Sequence, residues 1–274
     1  MKTRTNFVAF VVAVAIAGVI LTIPTGSYAN HSWQGYHWAR TSNPFTIRLG
    51  DNVSSVWDPY LTMSSSDWNA SSVMNTLVVG GSGTSARKCS PTLGRVELCN
   101  TTYGRTQWLG IASIWASGSH ITQGTVKMND TYYAMAQYNT PAWRQMVMCQ
   151  EVGHTFGLDH QDENFSNTNL GTCMDYTNDP DGGGSYGASN LHPNTHDYDQ
   201  LETIYAHLDN TTTVGTAAAV NGQDIDTNDP GQWGRAVAFN NAGRGVRFER
   251  DLGNGVKLFT FVFWAEAPRH DHED

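Results

Sequence analysis

The stretch Gln-Glu-Val-Gly-His-Thr-Phe-Gly-Leu-Asp-His, from Gln150 to His160, constrains this chain more than any other. Upstream, Thr140-Pro141 supplies a capping residue and a proline at the first helical position, so a helix should open there. Along it Trp143, Val147, Gln150, Glu151 and His154 recur on one side, while Met146, Cys149, Val152 and Phe156 point elsewhere into apolar surroundings. Gly157 then ends the helix, because a residue without a β-carbon permits the left-handed turn that bends His160 back toward it. Positions 150 and 154 lie a little more than one turn, about 6 Å, apart along the axis and aim at one point.

The side chains that meet at such a point suit a metal. Catalytic zinc takes three protein ligands and keeps its fourth position for water, whose pKa it lowers toward neutral. Gln150, His154 and His160 are the ligand candidates, and Glu151 beside them is placed to take a proton from that water. An amide oxygen is a neutral and poorer zinc donor than imidazole, so the glutamine weakens the set. Tyr176, Asp159 or Asp175 could compensate, or an imidazole from His37, His120, His192 or His196 could come in from outside the motif.

Gln150 to His160, taken with Cys173-Met174-Asp175-Tyr176, resembles the metzincin clan of zinc endopeptidases, most closely its secreted matrixin-like members. The first histidine of that clan's motif is Gln150 here. The resemblance implies an α+β fold: a twisted mixed sheet of about five strands, an active-site helix, a methionine turn at Met174 and a C-terminal helix. It also implies that Tyr176 touches the metal or the oxyanion, and that the strand Trp108 to Ala116 is an open edge on which an extended polypeptide substrate lies. A structural calcium ion held by Asp179, Asp181 and the glycine run to Gly184 is a further candidate. Since no cysteine lies between Ala29 and the first strand, a cysteine-switch zymogen is not expected. The reading is a secreted zinc endopeptidase with Glu151 as general base; its rival is an inactive pseudoprotease that binds or inhibits.

The rest of the chain fits an exported protein. Lys2 and Arg4, an apolar run from Phe7 to Ile23, and Pro24, Gly26, Ser27 and Ala29 have the order of a signal peptide cleaved after Ala29. No later stretch is long or apolar enough to span a bilayer, and a net charge of −9 argues against nucleic acid as a partner. A monomer is expected. Four cysteines allow three pairings; Cys89 and Cys99 flank Pro-Thr-Leu-Gly-Arg and should meet across a hairpin, which leaves Cys149 with Cys173.

Strands are expected at Pro44 to Leu49, Thr76 to Val79, Arg95 to Cys99, Trp108 to Ala116 and Thr125 to Asn129. Helices are expected within Val53 to Ser71 and from about Asn194 to Leu208, the latter with Asn194 and Asp197 as a capping pair. The domain reading is therefore signal peptide 1–29, catalytic domain 30–209, linker and C-terminal β-hairpin extension 210–264, and a disordered tail 265–274. The hairpin is Val246 to Asp251 and Lys257 to Trp264, joined by Leu-Gly-Asn-Gly.

Overall fold

The computed structural model describes residues 31–184, 186–215 and 225–266, so the signal-peptide reading and the tail beyond Glu266 lie outside the described residues; Ala265, expected to be disordered, is buried and its N–H donates to the Gln107 carbonyl at 2.8 Å. One mixed sheet of nine strands organises them, in the order β3-β2-β4-β6-β5-β9-β8-β7, with β1 also pairing β6. The strands are β1 (His37–Trp38), β2 (Phe45–Asn52), β3 (Met74–Gly80), β4 (Val96–Thr101), β5 (Trp108–Ser117), β6 (His120–Asn129), β7 (Arg235–Phe239), β8 (Gly245–Gly253) and β9 (Val256–Trp264). The helices are α1 (Asp58–Trp68), α2 (Asp130–Tyr133), α3 (Pro141–His154) and α4 (Thr195–Ile204). The expected α+β class holds, but the sheet is larger than five strands because the C-terminal hairpin continues it.

β1, β2, β3, β4 and β6 form the parallel part, and β5 runs antiparallel to β6. β5 is buried at nine of its ten positions, which means both faces and both neighbours exclude water. That is incompatible with the exposed edge expected of Trp108 to Ala116. β9 pairs antiparallel along its whole length, from Trp108 opposite Trp264 to Ser117 opposite Val256. The physical reason is in β9 itself, where Leu258 to Trp264 is apolar at six of seven positions and buried throughout, and a strand of that composition cannot stay in solvent. Its odd residues form a phenylalanine stripe at the two-residue period of a strand. Phe259 meets Trp33 and Tyr36, Phe261 meets His154, and Phe263 meets Trp143 and Tyr176.

α3 begins as expected: the Thr140 side chain accepts from the Trp143 N–H, and Pro141 is the first helical residue. α4 carries the expected capping box of Asn194 and Asp197 but stops at Ile204, short of Leu208. Both disulfides pair as expected, Cys89–Cys99 and Cys149–Cys173, but Cys89 lies in the loop before β4 and not on the strand of a hairpin, since β4 pairs in parallel with β2 and β6. The second bolts α3 to the segment carrying Met174.

Candidate active site

Gly157 adopts φ +102°, and a β-carbon there would lie 2.5 Å from the carbonyl oxygen of Tyr36, so only glycine fits this turn. The chain that leaves the turn zips against the Cys173-Met174-Asp175-Tyr176 segment. The Gln161 N–H donates to the Met174 carbonyl at 2.7 Å, and the Tyr176 N–H donates to the Asp162 carbonyl at 3.1 Å. This brings the rings of His154 and His160 edge to face with centroids 4.5 Å apart, and places Tyr176 against His160 at 4.6 Å. Gln150 precedes His154 by one helical turn on the same face. Met174 packs beneath: its Sδ would be 2.6 Å from a β-carbon at Gly153, which explains a glycine inside a helix otherwise built for burial.

All four motif residues are buried: Gln150, Glu151 and His154 completely, His160 to 5% exposure. Seven of their polar atoms have no protein hydrogen-bond partner: both amide atoms of Gln150, both carboxylate oxygens of Glu151, Nε2 of His154 and both ring nitrogens of His160. Leaving so many polar groups dry and unpaired is costly, and a divalent cation is the ligand this donor set suits. His154 Nδ1 donates to the Leu158 carbonyl at 2.8 Å, which leaves Nε2 with its lone pair facing the site. His160 Nδ1 faces Asp159 at 3.8 Å and Glu163 at 3.7 Å, carboxylates that bias its tautomer in the same sense. The residues present therefore fit a zinc ion.

Burial drives the electrostatics. It pushes the Glu151 carboxyl well above the usual range, opposed by the backbone of Phe263 and Ala112, which lie near it without closing a bond of normal geometry. Burial, followed by the neighbouring His160, holds His154 well below its ordinary value and so neutral, the state a metal ligand needs. Gly110 of β5 gives Glu151 its room, since a β-carbon there would sit 2.9 Å from Oε1.

The substitutes considered for the missing histidine are engaged elsewhere. His192 pairs with Asp67 at 2.8 Å, His196 stacks on His31, and His37 and His120 gather at Asp209. Asp175 accepts from the Leu170 N–H and the Asn190 amide, and burial lifts its pKa to about 6. Asp159 pairs with Arg247. The Tyr176 hydroxyl donates to the Val262 carbonyl of β9 at 2.7 Å rather than to anything on α3. Asp179 and Asp181 lie side by side on their loop, where burial raises Asp179 and the contact with Asp181 adds to it.

The sequence reading missed Phe261, Phe263 and Gly110. The alternation Phe-Thr-Phe-Val-Phe was visible as a strand, but nothing local says which strand it pairs with.

No family model matches the chain, and no curated protein matches it. The solved structure of myroilysin is similar at 12% sequence identity, over 63% of this chain and 83% of that one, with a TM-score of 0.36, too slight a likeness to carry residue roles. Two disulfides are compatible with an extracellular protein. No helix among the described residues is long and apolar enough to cross a membrane.

Proposed function

We propose that the chain is a secreted, zinc-dependent endopeptidase of metzincin type, and that the conformation described is its resting form, with β9 seated where a substrate strand would lie. The observation that carries the reading is the set of seven buried, unpartnered polar atoms on Gln150, Glu151, His154 and His160. Gln150 Oε1, His154 Nε2 and a His160 ring nitrogen would hold the ion. When bound, zinc supplies Lewis acidity, lowering the pKa of water and polarising the scissile carbonyl.

The protein's own groups supply the rest. Glu151 takes a proton from the attacking water as its oxygen bonds to the carbonyl carbon, then gives that proton to the amine as the C–N bond breaks. An apolar wall that raises its pKa favours the proton-holding form between those two transfers. Pairing with β5 would position the substrate backbone, as β9 does now. Covering by β9 also favours the second reading, a pseudoprotease whose cleft is permanently filled.

The test uses the mature chain with a specific protease site introduced at the exposed Asn210, assayed for bound zinc and casein cleavage before and after cutting and release of the C-terminal segment. Chelator-sensitive cleavage that appears on release and is lost in Glu151→Ala supports the enzyme. A folded protein that takes up zinc only as Gln150→His, and cleaves nothing after release, supports the pseudoprotease.

A further inference from the structure

A second group of metal-ligating side chains gathers away from α3, where β1 meets the chain that follows α4. His37, His207 and Asp209 each bring one ligand atom to within 4.8 Å of the others. His37 Nε2 lies 3.2 Å from His207 Nε2 and 3.5 Å from Asp209 Oδ2, and His207 Nε2 lies 3.7 Å from Asp209 Oδ1. In a tetrahedral zinc site with bonds of 2.0–2.2 Å, neighbouring ligand atoms stand about 3.3 to 3.6 Å apart. The two imidazole nitrogens and Asp209 Oδ2 on the His37 side stand near that spacing, and the oxygen nearest His207 is the other one, Oδ1, so the carboxylate spans the pair.

The surroundings orient these atoms as outer-shell groups orient ligands elsewhere. His37 Nδ1 is 2.7 Å from the Gly35 carbonyl, which can only accept, so Nδ1 carries the hydrogen and Nε2 presents a lone pair. That lone pair faces His207 Nε2 at 3.2 Å and Asp209 Oδ2 at 3.5 Å, so three groups able to donate electron pairs converge on one point. Arg40, itself 2% exposed, donates from Nη1 to Asp209 Oδ2 at 2.9 Å and from Nη2 to the His207 carbonyl, fixing both residues at once. Its guanidinium rests over the Tyr205 ring at 4.8 Å. His120 Nε2, at 3.2 Å, holds Asp209 Oδ1 from the other side. His207 is half exposed, which leaves a route in for the ion and a place for a water as fourth ligand.

We propose that His37, His207 and Asp209 form a second, structural zinc site, separate from the cluster on α3. Two imidazoles and one carboxylate are a donor set that zinc takes readily. Its work is to clip the N-terminal segment to the chain after α4. That segment underlies the active helix: Trp33 Nε1 donates to the His154 carbonyl at 3.2 Å, and Trp38 Nε1 donates to the Thr155 carbonyl at 2.8 Å. Tyr205, beside the clip, donates its hydroxyl to the Phe156 carbonyl at 2.9 Å. The ion therefore anchors the three carbonyls at the end of α3 through the segments that hold them.

The experiment counts zinc per chain in the full mature protein, stripped with chelator and dialysed against zinc, and follows the thermal midpoint. A His154→Ala background disables the cluster on α3 and should keep one equivalent, which His207→Ala removes together with the zinc-dependent rise in midpoint. Asp209→Asn, nearly isosteric, should weaken binding of that equivalent without unfolding the chain. If the His154→Ala background binds none, or if His207→Ala leaves the count and the midpoint response unchanged, the paired imidazoles are held by a shared proton and the proposal is overturned. Failure of the α3 site would instead appear as an unchanged count between the wild type and His154→Ala, so the two outcomes are distinguishable.

Discussion

The ring of Phe261 lies flat on the ring of His154, centroids 4.1 Å apart and planes inclined by 15°. A residue far down the chain thus covers a candidate metal ligand, while its neighbours Val262 and Phe263 engage Tyr176 and the surroundings of Glu151. If β9 is the gate, catalysis is limited by the population in which it has lifted away. Truncating a buried phenylalanine costs about 3–5 kcal/mol, and every 1.4 kcal/mol is about tenfold in a population. Phe261→Ala should therefore raise the rate of zinc uptake and of cleavage of a quenched fluorescent peptide by two to three orders of magnitude, roughly, in chains that remain folded by circular dichroism. An unchanged rate in folded Phe261→Ala would show that β9 is not what limits access.

Tyr176 latches the same strand through one hydrogen bond. Removing the hydroxyl should cost about 1 kcal/mol, which corresponds to roughly fivefold faster opening. Tyr176→Phe is therefore expected to speed amide exchange along β9 by about that factor while leaving the amides of β2 and β3 alone. Uniform acceleration across the sheet would mean that the phenol stabilises the whole fold rather than the latch.

How much of this the sequence disclosed depends on the range of the interaction involved. Thr140, Pro141 and Gly157 act through their own backbone and nearest neighbours, so the start of α3 and the turn after it were readable, although the helix stops at His154, three residues before that glycine. Asn194 and Asp197 are equally local. β6 begins at His120 rather than Thr125 because pairing with β5 and β4 carries Gly124 inside the sheet, against its weak strand preference. The partner of β9 was not readable at all, since alternation gives a strand its two faces but not its neighbour. The free edge at Trp108 to Ala116 came from the resemblance alone, and nothing local in β9 spoke against it. The His37, His207 and Asp209 cluster was hidden for the same reason, its members converging only once β1 and the end of α4 are docked.

Cys149–Cys173 closes a 24-residue separation and Cys89–Cys99 one of 10. By loop-closure entropy the first is worth about 3.5 kcal/mol and the second about 2.7 kcal/mol. The Cys149→Ala/Cys173→Ala pair should accordingly lose more stability in urea than Cys89→Ala/Cys99→Ala. It should also loosen Met174 from Gly153, and so lower zinc affinity, which the other pair should leave unchanged. Equal effects on zinc from both pairs would remove the special role given to the bolt between α3 and the methionine segment.

Lys127 offers a test in pH. Its ammonium group is fully buried on β6, donating to Thr227 Oγ1 at 2.7 Å and Asn228 Oδ1 at 2.9 Å, with the Tyr103 ring 5.7 Å away. Burial brings its pKa down to about 8, partly opposed by Asp226. In the unfolded chain the group titrates near its ordinary 10.5, so between pH 8 and 10.5 the unfolded state holds the extra proton. Stability must then rise with pH across that window, by up to roughly 3 kcal/mol, and the cost of burying the charge is fully present below it. Among the described residues no cysteine is free to initiate disulfide exchange at the alkaline end. Urea unfolding measured across the window should show this rise in the wild type, and Lys127→Met, which carries no proton to lose, should flatten it. A wild-type curve that is flat, or that falls as steeply as that of Lys127→Met, would mean that the ammonium is as well solvated in the fold as in water.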